Sequence, residues 1–217
     1  MSREEAYEQA AVWYRRADCE LDAARCYRLA GAYRRAAEIY QALGHYAEAA
    51  ESFADAGLPE LGAWLLAHLA GQPAQARALL AAPARETGAA AGQEPDAPST
   101  RRSLVLARCE IAEGAAPDVI RPVIADVCTA LADQGARPDQ VTEEWAVALS
   151  VAAARYDQAA LVFAAAVRGG RYGAGQRWKA WASDVLQAEI ILPPLPARTA
   201  PARTAPAETT TAPTTVA

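Results

Sequence analysis

The chain has one methionine, two phenylalanines, two histidines and, among 21 basic residues, a single lysine, Lys179. No stretch approaches the ~20 large apolar residues that span a bilayer, so no membrane helix is expected. The supply of β-branched and aromatic residues is small, which argues against a β-rich fold. Two histidines leave little acid–base chemistry near neutral pH, and no Ser-His-Asp or Cys-His spacing compensates. The four cysteines (Cys19, Cys26, Cys109, Cys128) show no CxxC spacing. The first residues, Met1-Ser-Arg-Glu-Glu-Ala-Tyr, lack the apolar core of a secretion signal. The expectation is reduced thiols and a cytoplasmic location. A strong basic segment is also missing. Residues 1–82 carry 8 basic and 11 acidic groups, and residues 101–192 carry 10 and 11. No nucleic-acid footprint is expected.

What the chain does have is alanine: 58 of 217 residues, half of a hydrophobic fraction of 53%. The alanine load and the preference for arginine over lysine suggest the coding bias of a GC-rich bacterial genome. The alanines also follow a period. Ala10-Ala11, Ala23-Ala24, Ala36-Ala37 and Ala49-Ala50 recur every 13 residues, and Gly62-Ala63 continues the series. Four positions after the first of each pair stand Tyr14, Tyr27, Tyr40, Phe53 and Leu66. Three further on stand Ala17, Ala30, Leu43, Ala56 and Leu69. Gly31, Gly44 and Gly57 follow, with Gly71 one residue out of step.

Positions i, i+4 and i+7 share one helical face. The small residue admits a neighbouring helix, and the aromatic fills the space beside it. Glycine then accepts the left-handed backbone that ends the helix. Helices of about ten residues are marginal alone and must stack. Ser2 and Glu5 have the spacing of a capping box ahead of a longer first helix, residues 2–16. Arg25, Glu51 and Arg77, two units apart in turn, are expected to form a surface ion-pair ladder.

The segments Gly31-Ala-Tyr33-Arg-Arg-Ala36-Ala-Glu-Ile-Tyr40 and Gly44-His-Tyr46-Ala-Glu-Ala49-Ala-Glu-Ser-Phe53 resemble the turn and second helix of a tetratricopeptide repeat. Two units here span 26 residues, whereas that family repeats every 34, so the helices are shorter. The resemblance implies an all-α, TPR-like antiparallel helical-repeat solenoid and a protein-binding role.

Periodicity is lost over residues 83–100, which read as a flexible linker. Helices are expected again over 101–113, 117–134, 139–154 and 174–191. Tyr156, Ala159-Ala160, Phe163 and Ala166 repeat the N-terminal unit. The organisation is therefore an array over 1–82, a linker over 83–100, a second array over 101–192, and a disordered Pro/Ala/Thr-rich tail over 193–217.

Few groupings rise toward chemistry. His45 and His68 with Cys19, Cys26, Glu48 and Asp55 lack the spacing of a metal site. Cys26, Cys109 and Cys128 read as small core residues. Gly169-Gly170-Arg-Tyr-Gly173-Ala-Gly175 lacks the Lys-Ser/Thr of a phosphate cradle and reads as a mobile interhelical loop. No catalytic residue, cofactor or metal is expected. Arg15, Arg16, Arg34 and Arg35 are candidate contacts for an acidic partner. Trp178 and Trp181 are either a cap on the stack or docking residues. The leading expectation is a non-catalytic protein-interaction scaffold or adaptor. One alternative is an accessory subunit of a larger bacterial, for example ATPase-based, complex. The other is an enzyme with an unrecognised site.

Overall fold

The computed structural model describes residues 2–82, 99–133, 140–188 and 191–192. The described residues contain eleven α-helices and no strand. They are α1 (Arg3–Arg16), α2 (Glu20–Leu29), α3 (Tyr33–Ala42), α4 (Tyr46–Asp55), α5 (Pro59–His68), α6 (Pro73–Ala81), α7 (Thr100–Ala112), α8 (Arg121–Ala132), α9 (Gln140–Ala152), α10 (Tyr156–Arg168) and α11 (Ala174–Trp181). From α1 to α6 each helix packs on the next. The predicted tail and most of the predicted linker lie outside the described residues. Ser99 and Thr100, at the linker's end, belong to α7: the Ser99 hydroxyl accepts from the Arg102 amide and caps the helix.

The thirteen-residue unit works largely as its spacing implies. The alanine pairs of α2, α3 and α4 are buried, as are Tyr27, Tyr40, Phe53 and Leu66 four residues on. Gly31, Gly44 and Gly57 hold φ of 74–77°, where a Cβ would be strained. Asp18, thirteen residues before Gly31, takes the same left-handed turn at φ 56°. Ser2 forms both halves of the capping box with Glu5.

Three expectations need correction. The i+7 residues are not core. Ala17, Ala30, Leu43, Ala56 and Leu69 are the C-caps of α1 to α5, where the chain leaves the helix, and Ala17, Leu43 and Leu69 are exposed. Tyr14 leaves the aromatic series at 41% exposure, because α1 packs against α2 on one side only. The ladder Arg25–Glu51–Arg77 does not form. Arg25 pairs locally with Asp22 at 3.0 Å. Arg28, nearly one turn on, reaches Glu51 at 3.0 Å and Asp55 at 3.6 Å. Arg77 instead reaches Glu113 at 2.9 Å.

Two further helices deviate from their expected extents. Pro117–Ile120 is a 3-10 turn that leads into α8. The last helix stops at Trp181 and widens into a π-helical turn, Ala182–Leu186, before Gln187 turns left-handed. Cys26 and Cys128 are half-buried and not fully core, whereas Cys109 is fully buried.

The glycine-rich stretch after α10 is tied down, contrary to the mobile loop expected. Arg171 donates to the carbonyls of Leu131 (3.1 Å), Ala130 (3.2 Å) and Asp133 (2.8 Å), closing the C-terminus of α8. Gly169 sits so close to α8 that an added Cβ would lie 1.9 Å from the Leu131 carbonyl oxygen.

The larger apolar core runs from Ala50 of α4 through α5–α10 to Ala182. Trp64 of α5 stacks on Trp145 of α9, centroids 4.6 Å apart and planes at 7°. A smaller core, Ala11 to Leu65, joins α1–α5. The helices before and after residues 83–98 thus share apolar packing through α5, α6 and α7.

One position invites improvement. Ala154 (φ 54°) stands two residues before Tyr156, where the N-terminal units carry glycine before Tyr33 and Tyr46. A left-handed alanine costs about 1 kcal/mol. Ala154→Gly is therefore expected to raise the melting temperature by about 2–4 °C. An unchanged or lower value in calorimetry would refute this account of the turn.

Candidate partner-binding surface

The first three helices build an open groove of about 760 Å³. Its apolar lining is Val12 from α1, Tyr27 from α2, and Ile39, Ala42 and Leu43 from α3. Its charged lining is Arg15, Glu20, Arg35 and Glu38. The geometry follows from the repeat. Tyr27 fills the floor through the alanine–aromatic spacing. Leu43, a C-cap residue, is pushed out to the lip.

Of the four arginines singled out in the sequence, Arg15 and Arg35 belong to this lining. Arg35 forms an ion pair with Glu8 of α1, across the stack, and lies 5.8 Å over the Tyr27 ring. Arg15 reaches Glu20 at 3.5 Å, bridging α1 to α2. Arg34 pairs with Glu38 at 3.1 Å one turn along α3 and borders the far side of Arg35. Arg16 lies 5.0 Å over the Trp13 ring. Arg15 and Arg35 line the groove, Arg16 lies beside it with Val12 and Tyr27, and Arg34 is outside its lining.

The tryptophan pair lies at the other end of the array. Trp178 is 4% exposed and packs edge-on against Phe163 at 5.6 Å. Trp181, half-buried, meets Phe163 at 5.6 Å and Tyr156 at 6.5 Å. Both rings close the core under α10 and α11. Trp178 offers a partner almost no surface.

Sequence reasoning missed Trp13, which is 59% exposed. A signal was present. Val12, Trp13 and Tyr14 are consecutive, and three consecutive residues fan over about 200° of a helix, so one must face solvent.

A second groove of about 660 Å³ lies between α8 and α10. Ile124, Cys128 and Leu161 give it an apolar lining. Arg121, Arg155, Arg168, Asp133 and Asp157 give it charged edges. Arg155 grips Asp157 at 2.8 Å and also Asp118. Its hydrogen bonds hold the Asp157 carboxyl well below the ordinary range. Burial pushes the Cys128 thiol up to about 11, so it is no nucleophile at neutral pH.

His68 marks the meeting of the two halves. Its ring stacks on Trp64 at 4.9 Å, and its Nδ1 accepts from Arg108 Nε of α7 at 3.2 Å. Burial first, then the Arg108 charge, lowers its pKa below the ordinary 6.5. Its place at the C-terminus of α5 favours the cation, but those two effects outweigh it. The folded state therefore prefers neutral His68. Its contribution to stability is full above the unfolded value near 6.5 and is lost as pH falls through the folded pKa. His68→Gln, which cannot titrate, is expected to lose less stability than the wild type between pH 7.5 and 5.5. Parallel melting curves for the two proteins would contradict this.

Among the described residues no group of three or more His, Cys, Asp or Glu converges as a metal site. No helix of the described residues is long and apolar enough to cross a membrane. Comparison with known proteins finds no matching family model, no matching curated protein and no matching solved structure.

Proposed function

We propose that the chain is a non-catalytic protein-binding scaffold, built as a TPR-like stack of short helices, that receives its partner in the α1–α3 groove. The observation that carries this reading is the groove itself. It has an apolar floor of Val12, Tyr27 and Ile39, with Leu43 at its lip and fixed charges on its rim. An apolar centre with a polar rim is the usual anatomy of a protein interface. The charged groups at both grooves are held in ion pairs, Arg15–Glu20 between α1 and α2 and Arg34–Glu38 and Arg155–Asp157 locally, which suits a binding surface better than acid–base chemistry.

Leu43 is exposed at a helix end, so replacing it leaves the core intact. A photo-crosslinking residue placed at Leu43 in the native host is expected to form adducts with protein. The same residue at exposed Lys179 serves as control. An identified partner must then bind the purified chain, and Leu43→Arg must weaken that binding at least tenfold. Adducts no more frequent at Leu43 than at Lys179, or a partner indifferent to Leu43→Arg, would overturn the proposal. One adduct in stoichiometric yield would identify an accessory subunit of a larger assembly; several would identify an adaptor.

A further inference from the structure

We propose that a second copy of this chain docks on the outer face of α1, in an antiparallel, two-fold symmetric pairing of α1 with α1. Helix α1 buries only Ala11 fully, and it faces α2 with that side. Residues Glu5, Gln9, Trp13 and Arg16 recur at helical spacing around the opposite side, and all four are exposed. Their order along the helix is acid, neutral amide, aromatic, base.

That order decides both the occupant and its direction. Glu5 and Arg16 are 11 positions apart, about 16 Å along the axis at 1.5 Å per residue. In an antiparallel pair each Glu5 lies opposite the other copy's Arg16, and both ends match at once. In a parallel pair Glu5 would meet Glu5 and Arg16 would meet Arg16. The helix dipoles favour the antiparallel arrangement as well. A surface that complements itself under a two-fold rotation is the requirement for an isologous dimer.

The side chains are placed for the role. Among the described residues no carboxylate pairs with Arg16, whose guanidinium rests on the exposed face of Trp13. This differs from Arg15, Arg34 and Arg35, each of which has an acid within this chain. Trp13 supplies the aromatic anchor. Gln9, near the middle, can hydrogen-bond across the axis. One helix of 14 residues gives a contact below the ~800 Å² per partner of a standard interface. The dimer is therefore a small, reversible one. It would present two α1–α3 grooves on one particle and strengthen attachment to a repeated partner.

Sedimentation equilibrium of the full chain, from low micromolar to several hundred micromolar, tests the proposal. The expected result is a monomer–dimer equilibrium. Trp13→Ala and Arg16→Glu should each weaken it at least tenfold, with unchanged helicity by circular dichroism. The decisive arm uses two variants, Arg16→Glu and Glu5→Arg. Neither should self-associate, because each places like charges opposite one another; an equimolar mixture should associate. Glu5→Arg also removes half of the capping box, so its helicity is compared with that of Glu5→Gln, which keeps an acceptor there. A wild type that stays monomeric throughout, an Arg16→Glu chain that dimerises like the wild type, or a mixture that fails to associate would each overturn the pairing. None of these outcomes depends on whether Leu43 contacts a partner, so the dimer and the groove stand or fall separately.

Discussion

Arg177→Met is expected to cost about 3–5 kcal/mol, the loss typical of breaking one side of a buried ion pair. Arg177 of α11 grips Glu143 of α9 with both ends of its guanidinium, Nε to Oε1 at 3.0 Å and Nη2 to Oε2 at 2.7 Å. Its Nη1 donates to the Tyr172 carbonyl at 2.6 Å. Hydrogen bonding to Glu143 raises the Arg177 pKa. The two partners are unequal. Glu143 is 2% exposed, while the Arg177 side chain keeps 27% of its surface. Removing the arginine strands a carboxylate in the core. Removing the glutamate leaves a cation that can still turn toward water. Arg177→Met should therefore be worse than Glu143→Gln.

The double variant Glu143→Leu, Arg177→Met should recover most of the loss, since no charge is left without a partner. Chemical denaturation of the four proteins checks this. A loss below about 1 kcal/mol for Arg177→Met, or a double variant no more stable than Arg177→Met, would contradict the role of this pair in holding α11 to α9.

The pair also shows where sequence reading stops. The thirteen-residue unit was legible because one local geometry, alanine pair then aromatic, is repeated along α2, α3 and α4. Any single unit would have been ambiguous; the recurrence made it readable. Contacts that depend on how distant helices meet left no such trace. Glu143 and Arg177 are 34 residues apart, and each looks like an ordinary solvent-facing charge on an amphipathic helix. The failed ladder has the same cause. Arg25 and Arg28 lie close on α2, and the small angle between them decides which one faces Glu51. The i+7 residues show a different limit. Helical spacing assigns them to the buried face, but the helix ends there, and a C-cap residue follows the outgoing chain.

The candidate surface was legible only in part. Arg15, Arg16, Arg34 and Arg35 were visible as paired charges, and three of them line or flank the groove. The apolar floor was not, since Tyr27 belongs to the core aromatic series, Ile39 carries no repeat signal, and Leu43 stands in the small position of its unit. Trp13 was hidden by its neighbour Tyr14, which fits the repeat in sequence and departs from it in space.

The second large effect is expected at the join between the halves. Trp145→Ala should destabilise the chain by about 3–5 kcal/mol, the usual cost of emptying a buried tryptophan site. Trp145 is 7% exposed, its ring is stacked on Trp64, and the Arg101 guanidinium lies 6.0 Å from the ring centroid. Trp64 also holds His68, and His68 accepts from Arg108 of α7. Removing one ring therefore loosens α5, α7 and α9 together. Trp64→Ala should cost a similar amount, and the double variant less than the sum, because a stacked pair couples by about 0.5–1.5 kcal/mol. The form of the transition matters as much as its midpoint. The larger core runs unbroken from α4 to α10, so the wild type should unfold in one cooperative step, and Trp145→Ala should split that step or lower it as a whole. Calorimetry distinguishes these outcomes from the opposing one, in which α1–α6 and α7–α11 melt separately in the wild type and Trp145→Ala shifts only the second. That opposing result would mean the Trp64–Trp145 stack contributes little to joining the two halves.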